Sequence, residues 1–335
     1  MELKNIAIVG AGSWGTALAK LLADRGREVR LWCYEKEVAE EVNRSCENHL
    51  YLPGFALPAG IRAFTELGPV VADADMVLSV TPGHALRSVW VEGKRHLKDR
   101  AVVVSATKGI EIDTGKLMTE VLEELLPASA RIACLSGPSF AREVAAGLPT
   151  AVVTASADHD LAKLIQHEIS GPTFRTYSSD DVTGVELGGA LKNIIAIATG
   201  AADGLGLGTN AKAALITRGL AEIARLAVAR GANPHTLSGL SGMGDLVLTC
   251  TGPLSRNRMV GERLAHGEPI QEILSGMRMV AEGVYTARSA RKLAADAKVV
   301  MPICEVMYRV LYEKLDIREA VSLLMERGLK PERDF

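Results

Sequence analysis

Glycines at positions 10, 12 and 15 follow directly on an apolar run, Ile6–Val9, and lead directly into a helical pattern over 16–24. A β-rich run that turns into a helix through Gly-x-Gly-x-x-Gly commits the chain to a βαβ unit. Each glycine answers a separate demand: a tight turn, a backbone that a pyrophosphate can approach, and a helix packed close to its strand. The phosphates would rest on the N–H groups of the helix N-terminus. Gly10, Gly12 and Gly15 are therefore candidate dinucleotide-binding residues; the alternative is a tight turn with no ligand. Beyond the second β-rich run the chain reads Leu31-Trp32-Cys33-Tyr34-Glu35-Lys36. Glu35 would hold ribose hydroxyls and favour NAD, whereas Lys36 would meet the 2′-phosphate of NADP. A shift of one residue in the strand end reverses the answer, so the choice stays open.

Up to about Tyr177 short β-rich runs alternate with helical patterns, the runs lying at 5–9, 29–33, 76–80, 101–105, 131–135, 150–155 and 173–177. That alternation predicts an α/β fold, a Rossmann-type doubly wound, mainly parallel sheet. After about Val182 the pattern changes to long Ala- and Leu-rich segments of 3.6-residue period, which predicts an all-α C-terminal domain. A chain of 335 residues also exceeds one comfortable core. The reading is a dinucleotide-binding domain over 1–183 and a helical substrate-binding and catalytic domain over 184–335. The boundary falls near 180–188, where the polar stretch Ser178-Ser179-Asp180-Asp181 could cap the first long helix.

The formal net charge of −2, without a basic run, offers nothing for a nucleic-acid backbone or an anionic membrane to grip. Five dispersed cysteines with no CxxC pair argue against a disulfide framework or a zinc knuckle and fit a reducing cytoplasm. The first apolar run meets glycines and not a cleavage site, so no signal peptide is read. The longest apolar stretch, 187–202, is short of the roughly 20 residues a membrane span needs.

That stretch reads LGGALKNIIAIATGAA, and Lys192 is its only charge. A lysine on a helix is ordinarily solvated surface. Here the neighbours are apolar or small, so the ammonium is expected in a cleft or a domain interface, where desolvation lowers its pKa toward the range of a proton donor and acceptor. A second cluster runs from Ser241 through Asp245 to Thr249 and on to Ser255, Arg256 and Asn257. Ser255 reads as an N-cap that leaves backbone N–H groups beside Arg256, a receptor for a small phosphate or carboxylate, or else as an ordinary capped surface helix. Asp245 is read as a partner of Lys192, an acceptor for a substrate hydroxyl, or a helix cap. Lys108 lies beyond a strand's C-terminal end, where open α/β sheets bind ligands, and Gly137-Pro138-Ser139-Phe140-Ala141 likewise follows a strand. No GxSxG elbow, HExxH or calcium loop occurs. The stretch 109–116 has one residue too many for a P-loop, with Leu117 where Ser or Thr is required. The seven histidines never fall at ligand spacing, and His159 between two aspartates reads as solvated surface, so no metal is expected.

The blocks GAGSWGTALA (10–19), SATKGIE (105–111), SGPSFAREVAAGLPTA (136–151), GVELGGALKN (184–193), NAKAALITRGLAE (210–222), GMGDLVLTC (242–250), SRNR (255–258) and EGVYT (282–286) together resemble the bacterial NAD(P)-dependent glycerol-3-phosphate dehydrogenases. The resemblance implies reversible reduction of dihydroxyacetone phosphate to sn-glycerol 3-phosphate with NADPH or NADH, supply of glycerol phosphate for phospholipid synthesis, and a homodimer. It also implies residue roles. Lys192 would be the catalytic proton carrier, with Lys108, Gly137, Ser139, Asn193, Asp245, Thr249, Ser255, Arg256 and Asn257 at the substrate. Ser13, Trp14, Tyr34, Lys108, Ala141, Arg256, Val280 and Glu282 would touch the cofactor. Two rivals stand beside it. One is a β-hydroxyacid dehydrogenase, against which the adjacency of Lys192 and Asn193 argues. The other is a non-catalytic dinucleotide sensor, against which a lysine inside an apolar helix argues.

Overall fold

The computed structural model describes residues 3–329 together with 331 and 332. The chain falls into two compact units, Met1–Thr107 with Met118–Val182, and Lys108–Leu117 with Thr183–Phe335. A single boundary in sequence does not describe that division. The stretch 108–117, read from sequence with the first domain, belongs by its packing to the second.

The first unit is built on one eight-stranded sheet: β1 Ile6–Val9, β2 Val29–Trp32, β3 Ile61–Phe64, β4 Met76–Ser79, β5 Val102–Ser105, β6 Arg131–Ser136, β7 Thr150–Ala155 and β8 Phe174–Ser179. Their spatial order is β3-β2-β1-β4-β5-β6-β7-β8, and every neighbouring pair is parallel except β6 with β7. The central strands IAIV, MVLS and VVVS are buried at every residue, as strands covered by helices on both faces must be. Their alternate side chains enter two cores: Ile8, Leu78 and Val104 on one face, Val9, Val77 and Val103 on the other. β3 escaped the sequence reading. It is an edge strand that buries only Ile61 and Ala63, while exposed Arg62 breaks its apolar run. The chain reverses direction of growth between β1 and β4, which places the switch point of the doubly wound sheet at the glycine turn after β1.

Among the described residues no strand follows β8. The second unit gathers on the helix Val182–Gly204, buried from Gly184 through Ala202, because a helix that is apolar all round can only be a central one. Its small residues let neighbours come close: a Cβ on Gly200 would lie 1.9 Å from the Arg258 carbonyl oxygen, so the helix Arg256–Ala265 crosses almost backbone to backbone. The stretch 108–117 joins this unit as a small hairpin, with Ile110 and Leu117 bridged and both in the helical core. Ser289 Oγ donates to the Ile110 carbonyl at 3.0 Å, which anchors Lys108 to the helical scaffold. No helix among the described residues is long and apolar enough to cross a membrane.

Candidate active site

In the first unit the glycine turn has the geometry a dinucleotide requires. Gly10 adopts φ +119°, and a Cβ there would stand 2.7 Å from the Val80 carbonyl oxygen. A Cβ on Gly15 would stand 1.8 Å from the Gly10 carbonyl oxygen, so any side chain would lift the helix off its strand. Gly12 differs: none of the described residues comes within 4 Å of the place its Cβ would occupy, which leaves open space at the head of the helix Ser13–Ala23. That helix has no acidic residue in its first turn and no side chain capping it, so its N-terminal dipole is available to an anion.

Ser13 Oγ donates to the Tyr51 carbonyl at 2.5 Å, and Trp14 is half-buried against the core. Tyr34 is 82% exposed beside the ring of Trp32. Glu35, the carboxylate read for the ribose, accepts the Tyr51 hydroxyl at 2.6 Å. Burial and that carboxylate push the Tyr51 phenol up to about 12, so it keeps its proton and donates. Gly137, at φ +136°, and Ser139, whose Oγ donates to the Gly137 carbonyl at 3.0 Å, lead into the helix Ala141–Ala145. That short helix packs on the helix Ser13–Ala23.

In the second unit Lys192 is buried, as its apolar surroundings predicted. Its Nζ donates to Asp245 Oδ1 at 2.7 Å and to Thr249 Oγ1 at 2.5 Å. Asp245 and Thr249 stand one turn apart on the helix Asp245–Thr251, hence on one face, and Thr249 Oγ1 donates back to the Asp245 carbonyl at 2.7 Å. Lys108 Nζ reaches the other carboxylate oxygen, Oδ2, at 2.6 Å. One carboxylate, 1% exposed, is thus shared between two ammonium groups. Lys192 is lowered from 10.5 to about 8, chiefly by burial; Asp245 opposes the shift and Lys108 adds to it. The cluster carries one positive charge in excess, which suits an anionic or oxyanion-forming ligand. Cys250 adjoins this cluster, but burial pushes its thiol up to about 11, which keeps it protonated.

Next to Lys192 on the helix Val182–Gly204, Asn193 Oδ1 accepts from Asn257 Nδ2 at 2.9 Å, and Asn257 Oδ1 accepts from the Gly283 N–H at 2.9 Å. Ser255 is the N-cap the sequence suggested, its hydroxyl accepting the Arg258 N–H at 3.2 Å. Arg256, half-buried at the first position of that helix, makes no hydrogen bond or ion pair with the described residues. Burial lowers its guanidinium, and the charge of Glu282 opposes that. Glu282 opens the helix Glu282–Asp296, with half-buried Val280 just before it. Sequence reasoning named the members of the lysine cluster but left its pairing open, and it gave Gly283 no role, although the glycine stands inside the block EGVYT. No group of three His, Cys, Asp or Glu side chains able to hold a metal ion occurs among the described residues.

A pyrophosphate turn at the switch point of a doubly wound sheet and a desolvated lysine with a proton affinity near neutrality belong together in one class, the nucleotide-dependent oxidoreductases of two-domain plan. Sequence models described as NAD-dependent glycerol-3-phosphate dehydrogenase N-terminus and C-terminus match residues 5–162 and 181–322. The chain belongs to the NAD-dependent glycerol-3-phosphate dehydrogenase family. It is 54% identical over 332 residues to the glycerol-3-phosphate dehydrogenase [NAD(P)+] of Syntrophotalea carbinolica, covering 98% of this chain and 100% of the relative. The protein of that name from Nitratidesulfovibrio vulgaris is 54% identical over 329 residues, covering 98% and 100%. The crystal structure of glycerol-3-phosphate dehydrogenase from Coxiella burnetii superposes with a TM-score of 0.93 at 42% identity, covering 96% of this chain and 98% of that one.

Proposed function

We propose that this chain interconverts dihydroxyacetone phosphate and sn-glycerol 3-phosphate, with NAD(P) as redox partner and Lys192 as the group that moves the proton. The observation that carries the reading is the buried Lys192–Asp245–Thr249 cluster, with Lys108 on the second carboxylate oxygen. The Gly10, Gly12 and Gly15 turn fits a dinucleotide, since it combines a strained backbone, open space and an unopposed helix N-terminus. When bound, the nicotinamide supplies or accepts the hydride at substrate C2.

The remaining work falls to side chains. Lys192 gives its proton to the C2 oxygen during reduction and takes it back during oxidation. Thr249 and Asp245 hold the Lys192 ammonium in place, and Lys108 orients the same oxygen. Arg256 is the receptor for the substrate phosphate, because its guanidinium is unspent at a helix N-terminus. The Gly137 and Ser139 loop, Tyr34, Ala141, Val280 and Glu282 complete the assignment of substrate and cofactor contacts. A role in supplying glycerol phosphate for phospholipids, a cytoplasmic location and a homodimer belong to the same proposal.

The deciding assay follows NADH and NADPH oxidation by the purified chain with dihydroxyacetone phosphate and, in parallel, with small 3-keto acids. Turnover of the phosphate ester alone is the expected result. Turnover of the keto acids alone would put the chain among the β-hydroxyacid dehydrogenases, and cofactor binding without turnover of either would make it a sensor.

A further inference from the structure

Asn257 follows Arg256 and has the look of a substrate ligand, yet both ends of its amide are engaged inside the unit. We infer that the Gly283 N–H fixes, through Asn257, which end of the Asn193 amide meets the substrate, so that Asn193 presents an N–H donor and Asn257 is a positioning residue. The inference rests on the functional reading above and adds a direction to it.

The direction follows from a group that cannot be reversed. A backbone N–H only donates, and that of Gly283 stands 2.9 Å from Asn257 Oδ1. Oδ1 is thereby the end of Asn257 that faces Gly283, and Nδ2 lies opposite, where it donates to Asn193 Oδ1 at 2.9 Å. That turns toward Asn257 the acceptor end of Asn193. Its Nδ2 keeps only a 3.5 Å contact with the Gly189 carbonyl one turn back, so this is the end with donors to spare. Inverting either amide would set donor against donor at a buried site, a cost of the size of a lost hydrogen bond. A glycine is required for the N–H to come so near, since a Cβ at 283 would lie 2.5 Å from the Asn193 carbonyl oxygen and 2.8 Å from Asn257 Oδ1. The amide donor suits the substrate C2 oxygen in both directions, because ketone and alcohol oxygens both accept.

The test compares Asn257→Asp with Asn257→Ala. At pH 8 the carboxylate introduced by Asn257→Asp accepts from Gly283 on one oxygen and turns the other, an acceptor, toward Asn193. The Asn193 amide must then invert and show its oxygen to the substrate. Asn257→Ala removes the guide without inverting anything. Asn257→Asp should lose about 10- to 100-fold in kcat/KM for dihydroxyacetone phosphate at pH 8, and Asn257→Ala less. Burial raises a carboxyl's pKa, so by about pH 5.5 the introduced group regains an O–H that donates to Asn193, and the defect should close relative to wild type. Asn257→Ala has no proton to regain. The charged residues next in sequence to the relay, Lys192, Arg256, Arg258 and Glu282, are the same in all three proteins, so a change in profile belongs to position 257.

An Asn257→Asp profile parallel to wild type, or a greater loss in Asn257→Ala, overturns the relay. Failure of the wild type itself to turn over dihydroxyacetone phosphate overturns the functional reading instead. The relay is then read without turnover, from the Asn193 side-chain NH2 resonances. They should shift in Asn257→Asp at pH 8 and revert at pH 5.5; an unmoved pair overturns it.

Discussion

Replacing Lys108 by methionine should raise the proton affinity of Lys192, and the shape of the pH–rate profile should show it. Asp245 holds Lys108 at 2.6 Å on one oxygen and Lys192 at 2.7 Å on the other. Two ammonium groups bridged in this way stand on the order of 5 Å apart, and at an effective dielectric constant of about 20 they repel by about 3 kcal/mol, or roughly two pKa units. Partial solvation of Lys108, 20% exposed, screens this to about one unit. Removing Lys108 also frees the Asp245 carboxylate to serve Lys192 alone, which acts in the same direction. Reduction needs the protonated amine, so wild-type kcat/KM should be level below about pH 8 and fall tenfold per unit above it. The plot of kcat/KM reports ionisations of the free protein.

In Lys108→Met that limb should move up to about pH 9, whatever happens to the height of the plateau. Asp245→Asn should move it below 8, because the carboxylate is the group that opposes burial. The measurement is initial-rate NAD(P)H oxidation between pH 6.5 and 10 at limiting dihydroxyacetone phosphate. Limbs that stay together, or shift in the same direction in both variants, would refute the claim that one shared carboxylate sets the Lys192 pKa.

Lys192→Ala should lose about 10²- to 10⁴-fold in turnover while fluorescence titration with NADPH or NADH stays near wild type, and a fully active variant would reassign the proton carrier. Arg256→Ala should raise the Michaelis constant for dihydroxyacetone phosphate by about 10- to 100-fold, and an unchanged constant would remove its phosphate role. Gly15→Ala forces a Cβ into the Gly10 carbonyl, so it should abolish measurable cofactor binding or destabilise the protein in thermal melts. Glu222, buried and accepting the N–H groups of Ile303 and Cys304 at the start of the helix Pro302–Tyr312, is raised by burial from 4.5 to about 7. A raised folded-state pKa contributes stability that is complete below about 4.5 and lost as pH rises through about 7; the shift corresponds to about 3 kcal/mol, and Glu222→Gln should flatten the urea stability curve across that window.

What the sequence disclosed and what it withheld divide along physical lines. Buried parallel strands such as Val102–Ser105 announce themselves because both faces are apolar. The edge strand Ile61–Phe64 does not, because one buried row suffices there. Lys192 stands out as the one charge in the apolar stretch 187–202. Its partner Asp245 is legible only as one of three readings, since it lies 53 residues away and roles as cap or hydroxyl acceptor fit the same local pattern. Lys108 was assigned by the strand before it, although Ile110 and Leu117 carry its hairpin into the helical core. Gly283 gives no local signal at all, because its N–H acts through Asn257, 26 residues earlier.

Under the proposed role of Lys192, the opposition between burial and Asp245 would let one lysine serve both directions of the reaction. At pH 7.5 an amine of pKa 10.5 is in its base form about one time in a thousand, and at about 8 it is so about one time in four, with the acid form still in the majority. Burial alone, without the carboxylate, would carry the value lower still and leave little acid for reduction. A solvated lysine would leave little base for oxidation. A buried ammonium with a half-shared carboxylate is the arrangement that keeps both forms populated. Burial keeps Asp245 from restoring Lys192 to its ordinary value, and the second ammonium, Lys108, adds to that effect.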